Sequence, residues 1–454
     1  MAKRILFITT DMMRWDTLGY NGNEFATTPT LDKLSEEGIR YDRAYNQNPL
    51  CMPSRSTMLT GQYTRHHGAW NNGIALPHDA PTFAEELKNA GWRTALIGKP
   101  HFEPFSSPES LESRLGIEDS YGPVRGFDWM NVASHDLIPA TGHYTEWLKR
   151  HHPEYLDEYY PLLEMPKHKG DQVKMNVIKG GETGAIFVKE NNIPRECYHT
   201  DWVADNTISY MDTLADSEDA FIWMSFPDPH HPYDPPASEK HFCDWKDLPY
   251  PDGFGKDDEE RMKWLQDKPQ HFEWWYTHEK WVSFEAIENY VYRGGLTADN
   301  VNEIRAMIHI SNAIIDENIA KVIQYLEDRG WLDDTHIFFT PDHGGWDGEY
   351  GLLFIGPSIA DDITRLAFLW KPAVNDNVPA AVVNAPVGVL DLAATWMDIA
   401  GVEIPDWVDG RPLPKSEAEA QQQGRDHVFC QYEGYTPDCG IVMNGVYADG
   451  KTLV

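Results

Sequence analysis

The chain has 454 residues, of which 41% are hydrophobic, so it can bury a large core. Its 38 Lys and Arg residues against 72 Asp and Glu residues leave a formal net charge of −34. This balance argues against nucleic acid and anionic membranes as partners, because both require a basic surface.

The N-terminal segment MAKRILFITTDMM holds only a short apolar run before Asp11 and has no small-residue cleavage site, unlike a signal peptide. We interpret ILFITT as the first β-strand. The sequence has no run of roughly 18 apolar residues that could span a membrane. Its five cysteines are few, odd in number and widely spaced, which argues against a disulfide framework. These features predict a cytoplasmic protein.

Strand and helix patterns alternate along the next part of the chain and predict an α/β protein with a mostly parallel sheet covered by helices. Helices are expected at Pro29–Gly38, Pro53–Gly61 and Thr82–Gly91, before the strand RTALIG. The strands AFIWMSF and THIFFT follow, separated by a long helix at about Thr297–Asp328 with an isoleucine-rich stripe. The segment LDLAATWMDIAG predicts a further helix before a small C-terminal sheet.

We expect one large domain over residues 1–420, with irregular insertions near 102–199 and 237–295. Pro, Gly, His and aromatic residues break the periodicity of these insertions, and loops of this length usually serve as lids, binding walls or oligomer contacts. A small subdomain is expected over residues 421–454, and whether its sheet is complete stays open.

A polar cluster follows each of four predicted strands. In chain order these are Asp11 after ILFITT, Lys99 and His101 after TALIG, His230 after AFIWMSF, and Asp342 with His343 after THIFFT. Because sites in open α/β sheets lie beyond the carboxyl ends of the strands, we expect all four clusters at one rim of the sheet.

The segment CMPSRSTMLTG predicts an anion site at the start of a helix. With Pro53 as the first helical residue, Cys51 would lie beside the N-terminal cap and face the positive end of the helix dipole. Arg55 lies four residues after Cys51 and can return over the same place. Together these groups would hold an anion.

The pattern Cys51-x-Pro53-Ser54-Arg55-x-x-x-Leu59-Thr60-Gly61 resembles the signature of type I sulfatases of the alkaline phosphatase superfamily. TTDMMRWDTLGYNG, GKPH, PHHPYDPP and TPDHG are similar to landmarks of this family, in the same order. The resemblance extends toward arylsulfatases, choline sulfatases and phosphonate monoester hydrolases. It implies a large mixed, mostly parallel sheet between helices and a small antiparallel C-terminal sheet. It also implies that a formylglycine-generating enzyme oxidises the cysteine to formylglycine.

By this resemblance, Asp11, Asp342, His343 and the modified Cys51 would hold one divalent metal ion. Carboxylates suit Ca²⁺ and Mg²⁺, whereas an imidazole shifts the preference toward Mn²⁺ and Zn²⁺. We expect Ca²⁺ or Mn²⁺ before Mg²⁺ or Zn²⁺.

The resemblance also implies the catalytic roles, in which Arg55 belongs to the same group of residues. One hydroxyl of the hydrated formylglycine would attack the sulfate ester, and loss of the proton from the other would expel sulfate. His101 would be the base, Lys99 would bind the sulfate oxygens, and His230 would bind substrate and protonate the leaving alkoxide. His231 stays an alternative to His230.

Asn72, in WNNG, matches a position that contacts substrate in phosphonate monoester hydrolases, although Asn-Gly is also a turn signal. Met12 departs from the family pattern, because relatives carry Asp, Asn or Gln after the first metal aspartate. Ile355 also departs, because relatives carry a lysine there. We expect these two differences to alter substrate preference, while loss of activity stays open.

The expected function is therefore a metal-dependent sulfatase that hydrolyses a small organic sulfate monoester. A phosphonate monoester or phosphodiester hydrolase on the same site is the alternative, although Lys99 and His101 favour sulfate. A degenerate, non-catalytic anion-binding homologue is a second alternative. The natural alcohol and the formation of a homo-oligomer stay open.

Overall fold

The structure is a computed structural model that describes residues 2–105, 110–135, 142–156, 179–251, 253–277, 296–436, 439–448 and 451–453. Its strands, in chain order, are β1 (Arg4–Thr10), β2 (Ile39–Tyr41), β3 (Ala44–Tyr45), β4 (Arg93–Gly98), β5 (Trp129–Val132), β6 (Lys179–Gly180), β7 (Ala185–Ile186), β8 (Ala220–Ser225), β9 (Thr335–Pro341), β10 (Trp346–Asp347), β11 (Leu353–Phe354), β12 (Arg365–Leu366), β13 (Leu369–Lys371), β14 (Ala381–Val383), β15 (Val387–Gly388), β16 (His427–Thr436), β17 (Cys439–Ala448) and β18 (Lys451–Leu453).

Its helices, in chain order, are α1 (Pro29–Glu37), α2 (Cys51–Thr60), α3 (Thr64–His67), α4 (Phe83–Asn89), α5 (Leu111–Ile117), α6 (His143–His151), α7 (His199–Met211), α8 (Asp258–Leu265), α9 (Gln270–Thr277), α10 (Ala298–Asp328), α11 (Asp361–Thr364), α12 (Asp391–Ala400) and α13 (Glu417–Gln423).

The central sheet is mixed and mostly parallel, as predicted. Within the described residues, its strand order is β14-β2-β13-β9-β1-β8-β4-β5. The strands from β9 to β5 in this order are parallel to one another. Strand β13 runs antiparallel to both β9 and β2. The ends of β1, β4, β8 and β9 consequently meet at one rim, where the sequence places the polar clusters.

Helices cover both faces of this sheet. Leu6 and Ile8 of β1 belong to the apolar cluster that includes α10, whereas Ile5 and Phe7 belong to the cluster that includes α12. Successive side chains of a strand point to opposite faces. A central parallel strand covered on both faces therefore reads as the continuous apolar run ILFI.

Most predicted helix boundaries hold to within about two residues. Thr297 caps α10, because its Oγ1 accepts a hydrogen bond from the amide of Asn300 at 3.1 Å. The helix predicted to begin at Pro53 instead begins at Cys51. Proline is tolerated in this first turn, because the first amides of a helix have no intrahelical partner. Cys51 is therefore the first residue of the helix and does not lie beside it.

The C-terminal strands β16, β17 and β18 form the predicted small antiparallel sheet. The amide of Gln431 in β16 donates to the carbonyl of Gln47 at 2.9 Å, which ties this sheet to the loop before α2. The domain boundary near residue 420 stays a prediction.

Among the described residues, Cys51, Cys197, Cys243 and Cys430 form no disulfide. None of the helices in the described part of the chain has the length and apolar character needed to cross a bilayer.

Candidate active site

Helix α2 begins at the rim where the central parallel strands terminate, and its first residue is Cys51. The Sγ atom of Cys51 lies 3.0 Å from Nε2 of His343. Ligand atoms of Asp11, Cys51, Asp342 and His343 all lie within 4.8 Å of one another, and all four residues are buried. The structure thus brings together the four residues that the sequence assigned to a metal site.

Arg55 forms the floor of this cluster and is completely buried. Its Nε donates to Oδ2 of Asp342 at 2.7 Å. One terminal nitrogen donates to the Lys99 carbonyl and to Oγ of Ser225, at 2.7 and 2.8 Å. The other lies 3.6 Å from Oδ2 of Asp11. The guanidinium therefore positions Asp11, Asp342 and the end of β4. The sequence suggested instead that Arg55 would lie over Cys51.

Asp342 is held at every oxygen by described donors. Its Oδ1 accepts from the amides of His343 and Met12, at 2.8 and 3.1 Å. Its carbonyl accepts from Oγ of Ser54 in α2 at 2.7 Å. These contacts fix the end of β9 against α2 before any ligand binds.

Asp11 has the features of a cation ligand. Both of its carboxylate oxygens are buried, and neither accepts a hydrogen bond from the described residues. The groups nearest to the Asp11 carboxylate are instead cationic, and Lys99 forms an ion pair with it. Burial would raise the pKa of Asp11, but Lys99 and the other nearby cations outweigh it and hold the pKa well below its usual range. The carboxylate is therefore ionised.

His343 is held in the orientation and tautomer of a metal ligand. Its Nδ1 lies 2.7 Å from the carbonyl of Gly344, which can only accept, so Nδ1 carries the proton. Its Nε2 faces Cys51 and lies 3.6 Å from Oδ1 of Asp11. A backbone carbonyl on one ring nitrogen commonly fixes the other as the ligand. The donor set of two carboxylates and one imidazole therefore fits a divalent cation.

Lys99 and His101 follow β4, where the chain passes very close to β8. A Cβ atom at Gly98, whose φ is +108°, would lie 1.7 Å from the carbonyl oxygen of Ser225, so only glycine fits. The Lys99 amide donates to the same carbonyl at 2.9 Å. This close approach directs the Lys99 side chain toward Asp11.

His101 lies on the left-handed backbone, with φ of +57°, and stacks on Phe105 with ring centroids 4.4 Å apart. Burial and the nearby Lys99 lower the pKa of His101 well below its usual range. Its Nδ1 is buried and makes no hydrogen bond to described residues. The ring is thus a neutral imidazole that can accept a proton.

His230 and His231 stack with centroids 4.1 Å apart on the segment after β8. Nδ1 of His230 donates to the His231 carbonyl at 2.6 Å, so Nε2 is the ring nitrogen that can exchange a proton. The His231 ring packs against Phe354 at 4.4 Å and near Phe187 at 5.4 Å. This packing favours His230 over His231 as the residue that exchanges protons.

Asn72 lies at the start of α2 and not only in a turn. Its Oδ1 accepts from the Met52 amide at 3.1 Å, and its Nδ2 lies 4.0 Å from Sγ of Cys51. Asn72 therefore satisfies one of the open amides of the helix and approaches Cys51 at the same time.

The two departures from the family pattern have different surroundings. Met12 adopts φ of +60° and contributes its amide to Asp342, while its side chain packs against Gly345. Ile355 is buried in an apolar cluster. Trp275 packs against the neighbouring Gly356, where a Cβ would lie 2.2 Å from the indole ring. Apolar side chains thus surround Ile355, the position at which the family resemblance implies a lysine.

Sequence reasoning missed two residues that support the site. Ser225, the last residue of β8, bonds both Arg55 and the Lys99 carbonyl, the latter at 2.7 Å. Its place at a strand end was a usable signal. Phe105 supports His101 from within an irregular insertion, where no periodicity points to it.

Comparison with known proteins agrees with this architecture. The family model described as Sulfatase matches residues 3–402. The chain is 26% identical to an arylsulfatase of Clostridium perfringens over 439 residues, covering 95% of this chain and 82% of that protein. It is 24% identical to a choline-sulfatase of Rhizobium meliloti over 412 residues, covering 90% of this chain and 70% of that protein.

Among solved structures, the phosphonate monoester hydrolase of Agrobacterium radiobacter superposes with a TM-score of 0.75 at 19% identity, covering 99% of this chain and 88% of that chain. This likeness concerns the fold. The family match over most of the chain, together with the arylsulfatase and choline-sulfatase relatives, shows that the chain belongs to the sulfatase family and is a sulfuric ester hydrolase.

Proposed function

We propose that this sulfatase hydrolyses a small organic sulfate monoester to an alcohol and inorganic sulfate, with formylglycine derived from Cys51 as nucleophile and one divalent metal ion. The observation that carries the proposal is the buried convergence of Asp11, Cys51, Asp342 and His343 at the start of α2. A thiol at this place has no evident packing role that would require three metal-ligand side chains around it.

Charge favours an anionic substrate at this position. The helix start, Arg55 and Lys99 supply positive charge around Cys51. A divalent cation held by the four residues would neutralise charge that develops on the sulfate oxygens. Carboxylates with one imidazole support Ca²⁺ or Mn²⁺ before Mg²⁺ or Zn²⁺.

Two histidines are placed for the proton transfers. A hydrated aldehyde at position 51 would supply one hydroxyl for attack on sulfur and a second whose deprotonation expels sulfate. His101, neutral and stacked on Phe105, is suited to accept the latter proton. His230, with Nδ1 fixed by a carbonyl, can deliver a proton from Nε2 to the leaving alkoxide. Lys99 would bind the sulfate oxygens.

Burial of the site supports a substrate that is presented end-on. The side chains of Asp11, Lys99, Arg55 and His343 have no exposed surface. A site this enclosed suits a terminal sulfate group on a small alcohol. Maturation by a formylglycine-generating enzyme and a cytoplasmic location remain parts of the proposal, and the latter is supported because the four described cysteines form no disulfide.

The test begins with the peptide that contains residue 51, from protein produced with a maturation enzyme. Conversion of the thiol to an aldehyde lowers its mass by about 18 Da. We expect this loss together with hydrolysis of p-nitrophenyl sulfate. Cys51→Ala should abolish hydrolysis, whereas Cys197→Ala, which removes another buried thiol, should not. An unchanged rate in Cys51→Ala would end the proposal, and an unmodified, inactive wild-type protein would favour an anion-binding homologue.

Phosphonate monoester or phosphodiester hydrolysis is the second candidate. It is favoured by the approach of Asn72 to Cys51, since this position resembles a substrate contact of phosphonate monoester hydrolases. Rates on p-nitrophenyl sulfate and on a phenylphosphonate monoester, measured side by side, separate the two. A higher kcat/KM for the phosphonate would replace the first proposal with this one.

A further inference from the structure

A second group of buried metal-ligand side chains lies next to the active site. His135 follows β5, His199 is the first residue of α7, and Asp228 follows β8. All three are buried, and one ligand atom from each lies within 4.8 Å of the others. The sulfatase reaction described above uses none of them.

We propose that His135, His199 and Asp228 form a second metal site, which binds a divalent transition-metal ion such as Zn²⁺ and has a structural role. Ligand atoms about 2.0–2.2 Å from a tetrahedral Zn²⁺ lie roughly 3.3 Å from one another. Oδ1 of Asp228 lies 2.9 Å from Nε2 of His199 and 3.6 Å from Nδ1 of His135. These separations bracket the tetrahedral value without any movement of the backbone.

The side chains around the three ligands are arranged as in established metal sites. Nε2 of His135 lies 3.0 Å from Oδ1 of Asp234, so a carboxylate orients the ring through its other nitrogen. The Nδ2 group of Asn191 donates to the Asp234 carbonyl at 3.0 Å. The carboxylate that orients the histidine is therefore itself on a fixed segment.

Asp228 is held in the same way. Its Oδ2 accepts hydrogen bonds from the hydroxyls of Tyr198 and Thr200, at 2.6 and 2.7 Å. Two donors on one carboxylate oxygen leave Oδ1 as the atom that faces the two imidazoles. A monodentate metal ligand requires this arrangement, in which one carboxylate oxygen accepts the hydrogen bonds and the other faces the metal ion.

Charge supports the same conclusion. Two buried carboxylates, Asp228 and Asp234, contact two imidazoles in a place that water does not reach. Buried charges are stable only when they are paired or coordinate a metal ion, and a divalent cation at this place would balance the two carboxylates. The His135 and His199 rings lie only 4.5 Å apart.

The site would tie three separate parts of the chain to the active site. The Asp228 carbonyl accepts from the Asp11 amide at 3.1 Å, and His230 lies two residues further along the same segment. A cation here would join the end of β8 to α7 and to the residues after β5. It would thereby hold the segment that carries His230 without contacting substrate.

The test counts metal ions in the full chain. Purified protein is stripped with a chelator, loaded with excess Zn²⁺, freed of unbound metal by gel filtration and analysed by plasma mass spectrometry. We expect two equivalents in the wild type and one in His199→Gln. Asp342→Asn, which alters only the active-site cluster, should also retain one. The exposed control His241→Gln should keep two.

A protonated hydrogen-bond network without metal is the competing explanation. It predicts one equivalent in the wild type and none in Asp342→Asn, and that result would overturn the second site. Asp342→Asn leaves the proposed ligands untouched, so this outcome does not depend on whether His199→Gln folds. In the Asp342→Asn background Zn²⁺ should also raise the Tm, and the additional substitution His199→Gln should abolish this shift. Equal shifts in Asp342→Asn and in the double variant would contradict the proposal.

Discussion

Replacing Glu112 with Gln should stabilise the protein at alkaline pH. Glu112 lies in the first turn of α5 with no exposed surface. Its Oε1 accepts from the Phe102 amide at 3.0 Å, whereas its Oε2 is buried without a hydrogen-bond partner among the described residues. Burial, reinforced by the charge of Glu103, raises the pKa of Glu112 from 4.5 to about 8.

This shift fixes both the sign and the size of the effect. The folded protein retains a proton on Glu112 that the unfolded chain releases above its ordinary pKa of 4.5. Stability is therefore lost as the pH rises from about 4.5 through about 8. At 1.36 kcal/mol for each pKa unit, the full loss is on the order of 5 kcal/mol. A neutral glutamine keeps the acceptor for Phe102 and does not titrate.

The assay is thermal unfolding of wild type and Glu112→Gln between pH 5 and pH 9. The Tm values should be close at pH 5, and the variant should be more stable at pH 9. Glu118→Gln, at an exposed position paired with Arg114, is the matched control and should follow the wild type. Parallel curves for wild type and Glu112→Gln would refute the assignment of a buried, protonated carboxyl group.

Three further changes probe the active site. Arg55→Lys keeps the positive charge, but a single ammonium cannot replace the bonds to Asp342 and to the Lys99 carbonyl. The kcat on p-nitrophenyl sulfate should therefore fall roughly a hundredfold, which corresponds to a rise in the activation free energy of about 3 kcal/mol. An undiminished kcat would show that the fork geometry is unimportant. Phe105→Leu removes the stacking on His101 and should lower kcat about tenfold with little change in KM. A change in KM alone would argue against a role of Phe105 in positioning His101. Chelation should abolish activity and lower the Tm, and added Ca²⁺ or Mn²⁺ should restore both; full activity in the chelated enzyme would contradict a metal requirement.

The rim of the active site could be predicted because parallel strands bring distant segments together in a regular way. Asp11 and Asp342 each follow a strand, and the strands are neighbours in register from Arg4 with Thr335 to Thr10 with Pro341. Apolar runs alone locate such strands. A residue that immediately follows such a strand can therefore be placed in the molecule to within a few ångströms.

The second cluster could not be predicted in the same way. His135 and His199 belong to an irregular insertion without periodicity, and nothing in their spacing links them to Asp228. The role of Arg55 was predicted only in part. Spacing along the helix brings it near Cys51, but its bonds to Asp342 and to the end of β4 depend on three-dimensional packing. Patterns in a sequence report neighbours along an element better than partners between elements.

The contact between Gly98 and the carbonyl of Ser225 limits how this enzyme can change through mutation. Any larger residue at position 98 must push β4 and β8 apart, and Lys99 would move with the displaced backbone. A saturation library selected for sulfatase activity should accordingly return glycine alone at this codon, while the exposed positions Asn89 and Ala90 before β4 should accept many residues. The absence of a side chain at Gly98 thus sets the position of Lys99, the residue proposed to bind the sulfate oxygens.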